Sequence, residues 1–123
     1  MAKVLIVDDS WLIRQSLKKL LAPLGYSIEE AVNGVEGLEM IIELEPDCIL
    51  LDLLMPELDG FGVLNAMNEK NLENSVIVLT ADIQDTSREK CKKLGVFGFI
   101  NKPPRNDELL DMVAKAIDQS RGE

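Results

Sequence analysis

Four short aliphatic runs limit what this chain can fold into: Val4-Leu5-Ile6-Val7, Cys48-Ile49-Leu50-Leu51, Val76-Ile77-Val78-Leu79 and Val96-Phe97-Gly98-Phe99-Ile100. They are rich in β-branched residues and do not alternate with polar ones. Such continuous runs read as strands buried on both faces, the condition of strands inside a parallel sheet. Tyr26 to Ala31 is a weaker candidate whose Glu29-Glu30 looks solvent-facing, which suits a sheet edge.

Helical periodicity fills the gaps between the runs. Ile13, Leu17, Leu20, Leu21 and Leu24 share one face of a first helix, and Gly25 stands where a helix would end. Pro23 either kinks the last turn of that helix or stops it, because its ring cannot follow a continuing α-helical backbone. Val35, Leu38, Ile41 and Ile42 mark a second helix after Asn33-Gly34, and Phe61, Leu64 and Met67 mark a third. Gln84 to Leu94 reads as a fourth. A fifth is expected to begin at Pro104, since proline is tolerated at a first helical position, and carries Leu109, Leu110, Val113 and Ile117. Strand and helix thus alternate five times with short connections, which implies an open parallel sheet covered by helices on both faces.

At 123 residues the chain fits one domain, 1–123, with little room for a second. Thirteen basic against 22 acidic residues give a net charge of −9, which argues against direct binding to nucleic acid or to an anionic membrane. The chain has no histidine, so imidazole-ligated zinc and histidine-based triads are excluded. Cys48 and Cys91 lack CxxC spacing and read as buried thiols in a reducing compartment. The start, MAKVLIVDDS, has neither the length nor the flanks of a signal peptide, and no stretch is long enough to cross a bilayer. The expected location is cytoplasmic.

In open α/β sheets the ligand site lies beyond the carboxyl ends of the strands, at the point where strand order reverses. The first run ends in Asp8-Asp9, the second of the long runs in Asp52, the next in Thr80-Ala81 and the last in Asn101-Lys102-Pro103. Each has an ordinary explanation when taken singly: Asp9 or Ser10 as a helix cap, Asp52 as a turn residue, Lys102 as a solvated lysine. Together they place three carboxylates, a hydroxyl and an ammonium on one edge. Clustered carboxylates repel one another, and a divalent cation removes that cost. An all-oxygen, carboxylate-rich set suits Mg²⁺, and a carboxylate beside it can act as a nucleophile toward phosphorus.

These residues resemble a known family, the receiver domain of bacterial response regulators, including its stand-alone chemotaxis type. The resemblance rests on Asp8-Asp9, on Asp52-x-x-Met55-Pro56-x-x-Asp59-Gly60, on Thr80-Ala81 and on Lys102-Pro103-Pro104, and it covers essentially the whole chain. It implies a flavodoxin-like (βα)5 three-layer sandwich with strand order 2-1-3-4-5. It further implies that Asp52 accepts a phosphoryl group from a sensor histidine kinase or phosphotransfer protein. Asp8, Asp9, Asp52 and the backbone carbonyl of Leu54 would hold Mg²⁺, with Mn²⁺ able to substitute. Lys102, Thr80 and Ala81 would bind the phosphoryl group. Thr80 and Phe99 would form the switch, Leu54 and Asp82 would flank the phosphoryl group, and the Lys102-Pro103 peptide would be cis.

The family also implies signalling through the surface of the fourth helix, fifth strand and fifth helix to a partner protein. A phosphatase is a further expected partner, and the chain is expected to be a monomer or a weak, phosphorylation-dependent dimer. It is expected to be a phosphoacceptor switch that catalyses its own phosphotransfer and its own dephosphorylation, not an enzyme acting on other molecules. Phe99 stands where tyrosine is frequent, so partners that require its hydroxyl are disfavoured. Two alternatives stay open: a receiver cut from a larger regulator, and an Asp-nucleophile phosphatase. Against the latter, Leu54 occupies the position of the second acid in an Asp-x-Asp motif, and 123 residues leave no space for a cap domain.

Overall fold

The structure is a computed structural model that describes residues 1–82 and 84–122. Five strands alternate with five α-helices: β1 (Lys3–Val7), α1 (Trp11–Leu21), β2 (Ser27–Ala31), α2 (Gly34–Leu44), β3 (Cys48–Leu51), α3 (Gly60–Glu69), β4 (Ser75–Thr80), α4 (Asp85–Lys93), β5 (Gly98–Asn101) and α5 (Asn106–Ser120). All strands are parallel in the order β2-β1-β3-β4-β5. The strand order therefore reverses between β1 and β3, and the crevice beyond their carboxyl ends is the place for a ligand.

Alternation along each buried strand explains the three layers. Val4 and Ile6 of β1, Cys48 and Leu50 of β3, and Ile77 and Leu79 of β4 face Leu17 and Leu21 of α1 and Leu109, Val113, Ala116 and Ile117 of α5. Leu5 and Val7, Ile49 and Leu51, and Val76 and Val78 face the opposite way, toward Ile41 of α2, Val63, Leu64 and Met67 of α3, and Cys91 of α4. Because successive side chains of a strand point to opposite faces, a run apolar at every position supplies both cores at once.

The helix ends follow local chemistry. The side chains of Ser10, Asn33 and Asp59 accept from the backbone amides of Ile13, Glu36 and Gly62, which satisfies donors that a first helical turn leaves free. Pro23 ends α1 and lies inside a short 3-10 helix, Ala22–Leu24, closed by Gly25 at φ 84°. Two boundaries and two exposures differ from the sequence expectation. The fifth helix begins at Asn106, because Pro103 and Pro104 form the loop that brings the chain off β5. Val96 and Phe97 precede β5 instead of belonging to it. Val35 and Ile42 of α2 are exposed, since that helix meets the sheet through Gly37, against Val7, and through Ile41, while Gly34 packs against Leu58. Glu30 is half-buried, for a reason given below.

Gly60 fixes how α3 leaves the β3 loop. A β-carbon there would stand 2.5 Å from the carbonyl oxygen of Asp52 and 2.7 Å from the α-carbon of Leu53. Its amide donates to the Leu53 carbonyl at 3.1 Å, so helix and loop are in direct backbone contact. Gly60→Ala is expected to destabilise the chain by about 1–3 kcal/mol, the usual cost of forcing a group into a packed site. Urea unfolding checks this through a lower midpoint at unchanged m-value.

Candidate phosphoacceptor and metal site

Strand register builds the site. Val7 pairs with Leu51, so the residues that follow them, Asp8 and Asp52, leave the sheet side by side. The Asp52 amide donates to the Val7 carbonyl at 3.0 Å, which continues the ladder one step past β3. Asp8 and Asp52 are buried, and Asp9, next along the β1–α1 loop, is exposed. One carboxylate oxygen from each of Asp8, Asp9 and Asp52 lies within 4.8 Å of the other two.

One cation enters this group. The Lys102 amide donates to the Thr80 carbonyl at 2.8 Å, extending the β4–β5 ladder and aiming the side chain back across the strand ends. Its Nζ stands 2.7 Å from Asp8 Oδ2 and 3.4 Å from Asp52 Oδ2. The Lys102-Pro103 peptide is cis. Three carboxylates and one ammonium leave a formal surplus of two negative charges.

Burial raises the pKa of Asp52 from its ordinary value, and the neighbouring Asp8 adds a smaller rise. Lys102, the Leu54 amide and the Thr80 hydroxyl all pull it down without cancelling the rise. By formal count the site lacks positive charge. The carboxylate of Asp9 has no hydrogen-bond or ion-pair partner among the described residues, and every donor in the cluster is oxygen. Such a set fits a hard divalent ion of the Mg²⁺ type, held by a few protein oxygens and otherwise by water.

The remaining expected residues fall into two groups. Thr80 is fully buried at the end of β4 and its hydroxyl faces Asp52. Ala81 follows it on the exposed loop, and the side chain of Leu54 is 56% exposed at the rim. Phe99 and Asp82 lie apart from the carboxylates. Phe99 packs into the α2–α3–α4 core, with the guanidinium of Arg88 5.2 Å from its ring centroid. Asp82 turns to α4, where its carboxylate accepts from Ser87 Oγ at 2.6 Å and from the Gln84 amide at 3.0 Å. These two bonds, Ser87 first, hold its pKa low. Gln84, at the start of α4, supplies no side-chain cap of its own.

Sequence reasoning missed Arg14 and Glu30. Arg14 Nη1 donates to the Asp8 carbonyl at 2.8 Å, and Nε pairs with Glu30 Oε1 at 3.0 Å. Glu30 also accepts from Gln15 Nε2 at 3.0 Å and from Lys18 Nζ at 3.5 Å, which explains why it is not a free edge carboxylate. A signal was present in the sequence. Arg14 stands at helical spacing with Leu17 and Leu21, the buried stripe of α1, and a cation on a buried stripe needs a partner.

The fold and this constellation define a receiver of the two-component signalling type. The family model described as "Response regulator receiver domain" matches residues 4–114, and the chain belongs to that family. The chain is 36% identical over 118 residues to the transcriptional regulatory protein DltR of Streptococcus agalactiae, covering 96% of this chain and 53% of that protein. It is thus about half the length of the curated relatives it matches. Among solved structures, the chemotaxis protein CheY4 of Vibrio cholerae superposes with a TM-score of 0.86 at 31% identity, over 94% of this chain and 98% of that one. The receiver domain of the Francisella response regulator 1452 gives 0.91 at 30% identity, over 98% and 99%. Membership implies signalling by phosphorylation on an aspartate. Among the described residues no helix is long and apolar enough to cross a membrane.

The raised pKa of Asp52 carries a stability consequence. A carboxyl whose folded pKa exceeds its unfolded value, ~3.9, is less favourable as an anion in the folded chain than in the unfolded one. Its stabilising contribution is complete below the unfolded value and is lost as pH rises through the folded value. Asp52→Asn removes that loss. In metal-free neutral buffer the variant should melt above wild type, with the difference closing as pH falls toward ~4. Thermal unfolding in EDTA across that range is the measurement, and a lower-melting variant at neutral pH contradicts the electrostatic account.

Proposed function

We propose that this chain is a phosphorylation-driven switch in which Asp52 is the phosphoacceptor and a histidine kinase or phosphotransfer protein is the donor. The observation that carries the reading is the three-carboxylate cluster at the reversal of strand order, bridged by one lysine from Asp8 to Asp52. An Asp52 carboxylate oxygen attacks the phosphorus of a phosphohistidine. The P–N bond breaks, the imidazole keeps the electron pair and gains a proton, and Asp52 becomes an acyl phosphate. Asp8, Asp9, Asp52 and the Leu54 carbonyl are the residues that would hold Mg²⁺ (or Mn²⁺), which when bound supplies charge neutralisation for the phosphoryl oxygens.

The protein's own groups do the rest. Lys102 sits closer to Asp8 than to Asp52 in this state, and a phosphoryl group of about −1.5 to −2 charge draws it across. The Thr80 hydroxyl and the Ala81 amide take the remaining oxygens. Moving Thr80 shifts the β4–α4 loop, because its Oγ1 accepts from the Asp82 amide at 3.2 Å. Phe99 then moves into the vacated space, and the α4-β5-α5 surface presents the new state to a partner protein or linked domain. Driving such a switch from 1:99 to 99:1 takes ~5.5 kcal/mol of preference. A few charge-assisted hydrogen bonds at roughly 1.5–3 kcal/mol each are enough. Later attack by water on the acyl phosphate resets the chain, with Leu54 beside its path.

Acetyl phosphate or beryllofluoride with Mg²⁺ is expected to modify the wild type at Asp52 and to leave Asp52→Asn unmodified. Mass analysis of the intact protein and of the peptide spanning Asp52 reads the result. Equal modification of Asp52→Asn would remove Asp52 from its assigned role. In parallel, Mg²⁺ is expected to raise the melting temperature of the wild type and not that of Asp9→Ala.

A further inference from the structure

The ion pair between α1 and β2 lies outside the carboxylate cluster yet holds its backbone. Asp8 is gripped at every polar atom. Its amide donates to the Ala31 carbonyl at 3.1 Å, Oδ1 accepts from the Ser10 amide at 2.9 Å, and Oδ2 accepts from Lys102 at 2.7 Å. The fourth atom, the carbonyl oxygen, accepts from Arg14 Nη1 at 2.8 Å, a bond buried on both sides. Asp9 lacks comparable anchors, since its carboxylate is exposed and unpartnered among the described residues.

The Asp8 carbonyl and the Asp9 amide belong to one rigid peptide plane. Whatever fixes that carbonyl therefore fixes the starting direction of Asp9. The guanidinium can do this because a second partner fixes it in turn: Glu30, on the neighbouring strand, takes Nε at 3.0 Å and leaves Nη1 aimed at the loop. The side chain of Arg14 is only 9% exposed, so it has little freedom to swing away. A planar fork with two partners at fixed angles holds direction better than a lysine could.

We propose that Arg14 and Glu30 form a positioning pair that presets Asp9 for the divalent cation. Neither residue touches the ion or the phosphoryl group; they act through the Asp8–Asp9 peptide. Supports behind first ligands commonly control metal affinity by about 10- to 100-fold. The inference rests on the metal-site reading given above, and its test separates the two.

The test is a Mg²⁺ titration of the full chain, read by the fluorescence of Trp11, the single tryptophan, two residues beyond Asp9. Urea unfolding in EDTA establishes that each variant is fully folded under the titration conditions. Arg14→Met keeps the apolar stem and removes both donors, and is expected to raise the Mg²⁺ Kd by about tenfold. Glu30→Gln keeps an acceptor but loses the charge, and should raise Kd by a smaller factor. Lys18→Ala, which removes only the outermost contact to Glu30, should leave Kd unchanged. If Arg14→Met and Glu30→Gln lower urea stability while the folded proteins bind Mg²⁺ as wild type does, the pair is a structural brace and the proposal is overturned. Should Arg14→Met fail to fold, an unchanged Kd in Glu30→Gln overturns it equally. A wild type that shows no saturable Mg²⁺ response, or an Asp9→Ala variant that binds as well as wild type, overturns the metal site itself and this inference with it.

Discussion

The pairing of β1 with β3 is the constraint on which the acidic end of this molecule depends. It places Asp8 against Asp52 with almost no exposure, an arrangement that two carboxylates do not reach unaided. The strands can impose it because their apolar residues, packed on both faces, hold the register against that repulsion. A one-step slip would turn Leu5 and Val7 toward α1 and α5 and undo both cores. The burial that this pairing imposes shows in the raised pKa of Asp52, and the chemistry proposed for the site uses the charge deficit beside it. A cluster deficient in positive charge is a receptor for a cation and, through that cation, for a phosphoryl group.

The two sides of the sheet are not held equally. α5 buries Leu109, Val113, Ala116 and Ile117, whereas α4 buries only Ser87 and Cys91. With little apolar anchorage, α4 depends on polar ties: Asp82 to Ser87 and Gln84 at its start, and Asn101 Nδ2 to the Asp82 carbonyl at 2.9 Å. Elements with few buried apolar contacts are the ones that shift at low cost. The helix next to Thr80 and Phe99 is therefore the one best suited to move, which agrees with the switching surface proposed for this chain. Cys91 is the apolar part of the α4 anchorage. Both cysteines are buried and unbridged, and burial pushes the Cys48 thiol up to about 12.

Much of the fold was legible because its strands declare themselves. A run such as Val4 to Val7, apolar at every step, has few other ways to satisfy both faces. The acids were legible for the converse reason: Asp8 and Asp52 interrupt such runs abruptly, at ends where ligand sites form. Asp82 was harder. Its place two residues after Thr80 suggested the phosphoryl site, yet its carboxylate is bonded to α4. Position along the chain does not state which way a loop side chain turns. Arg14 and Glu30 were missed because their partnership crosses from helix to strand and ends on a main-chain carbonyl, which carries no residue-specific mark. The α5 boundary failed on a general rule, as Pro104 is acceptable in a first helical turn but stands in the loop.

Sequence alone determined the alternation of elements, the double-sided core and the identity of the groups that could meet at one edge. Those follow from local periodicity and from the chemistry of single residues. Tertiary structure decided how they meet: Lys102 leaning toward Asp8, Thr80 facing Asp52, Asp82 turned to α4, and Arg14 reaching the Asp8 backbone. The first two join residues at the ends of different strands, and their geometry is set by strand register, which no stretch of chain contains by itself. The last two are close in sequence, and the turn of the β4–α4 loop and the pairing of Arg14 with Glu30 of β2 decide them.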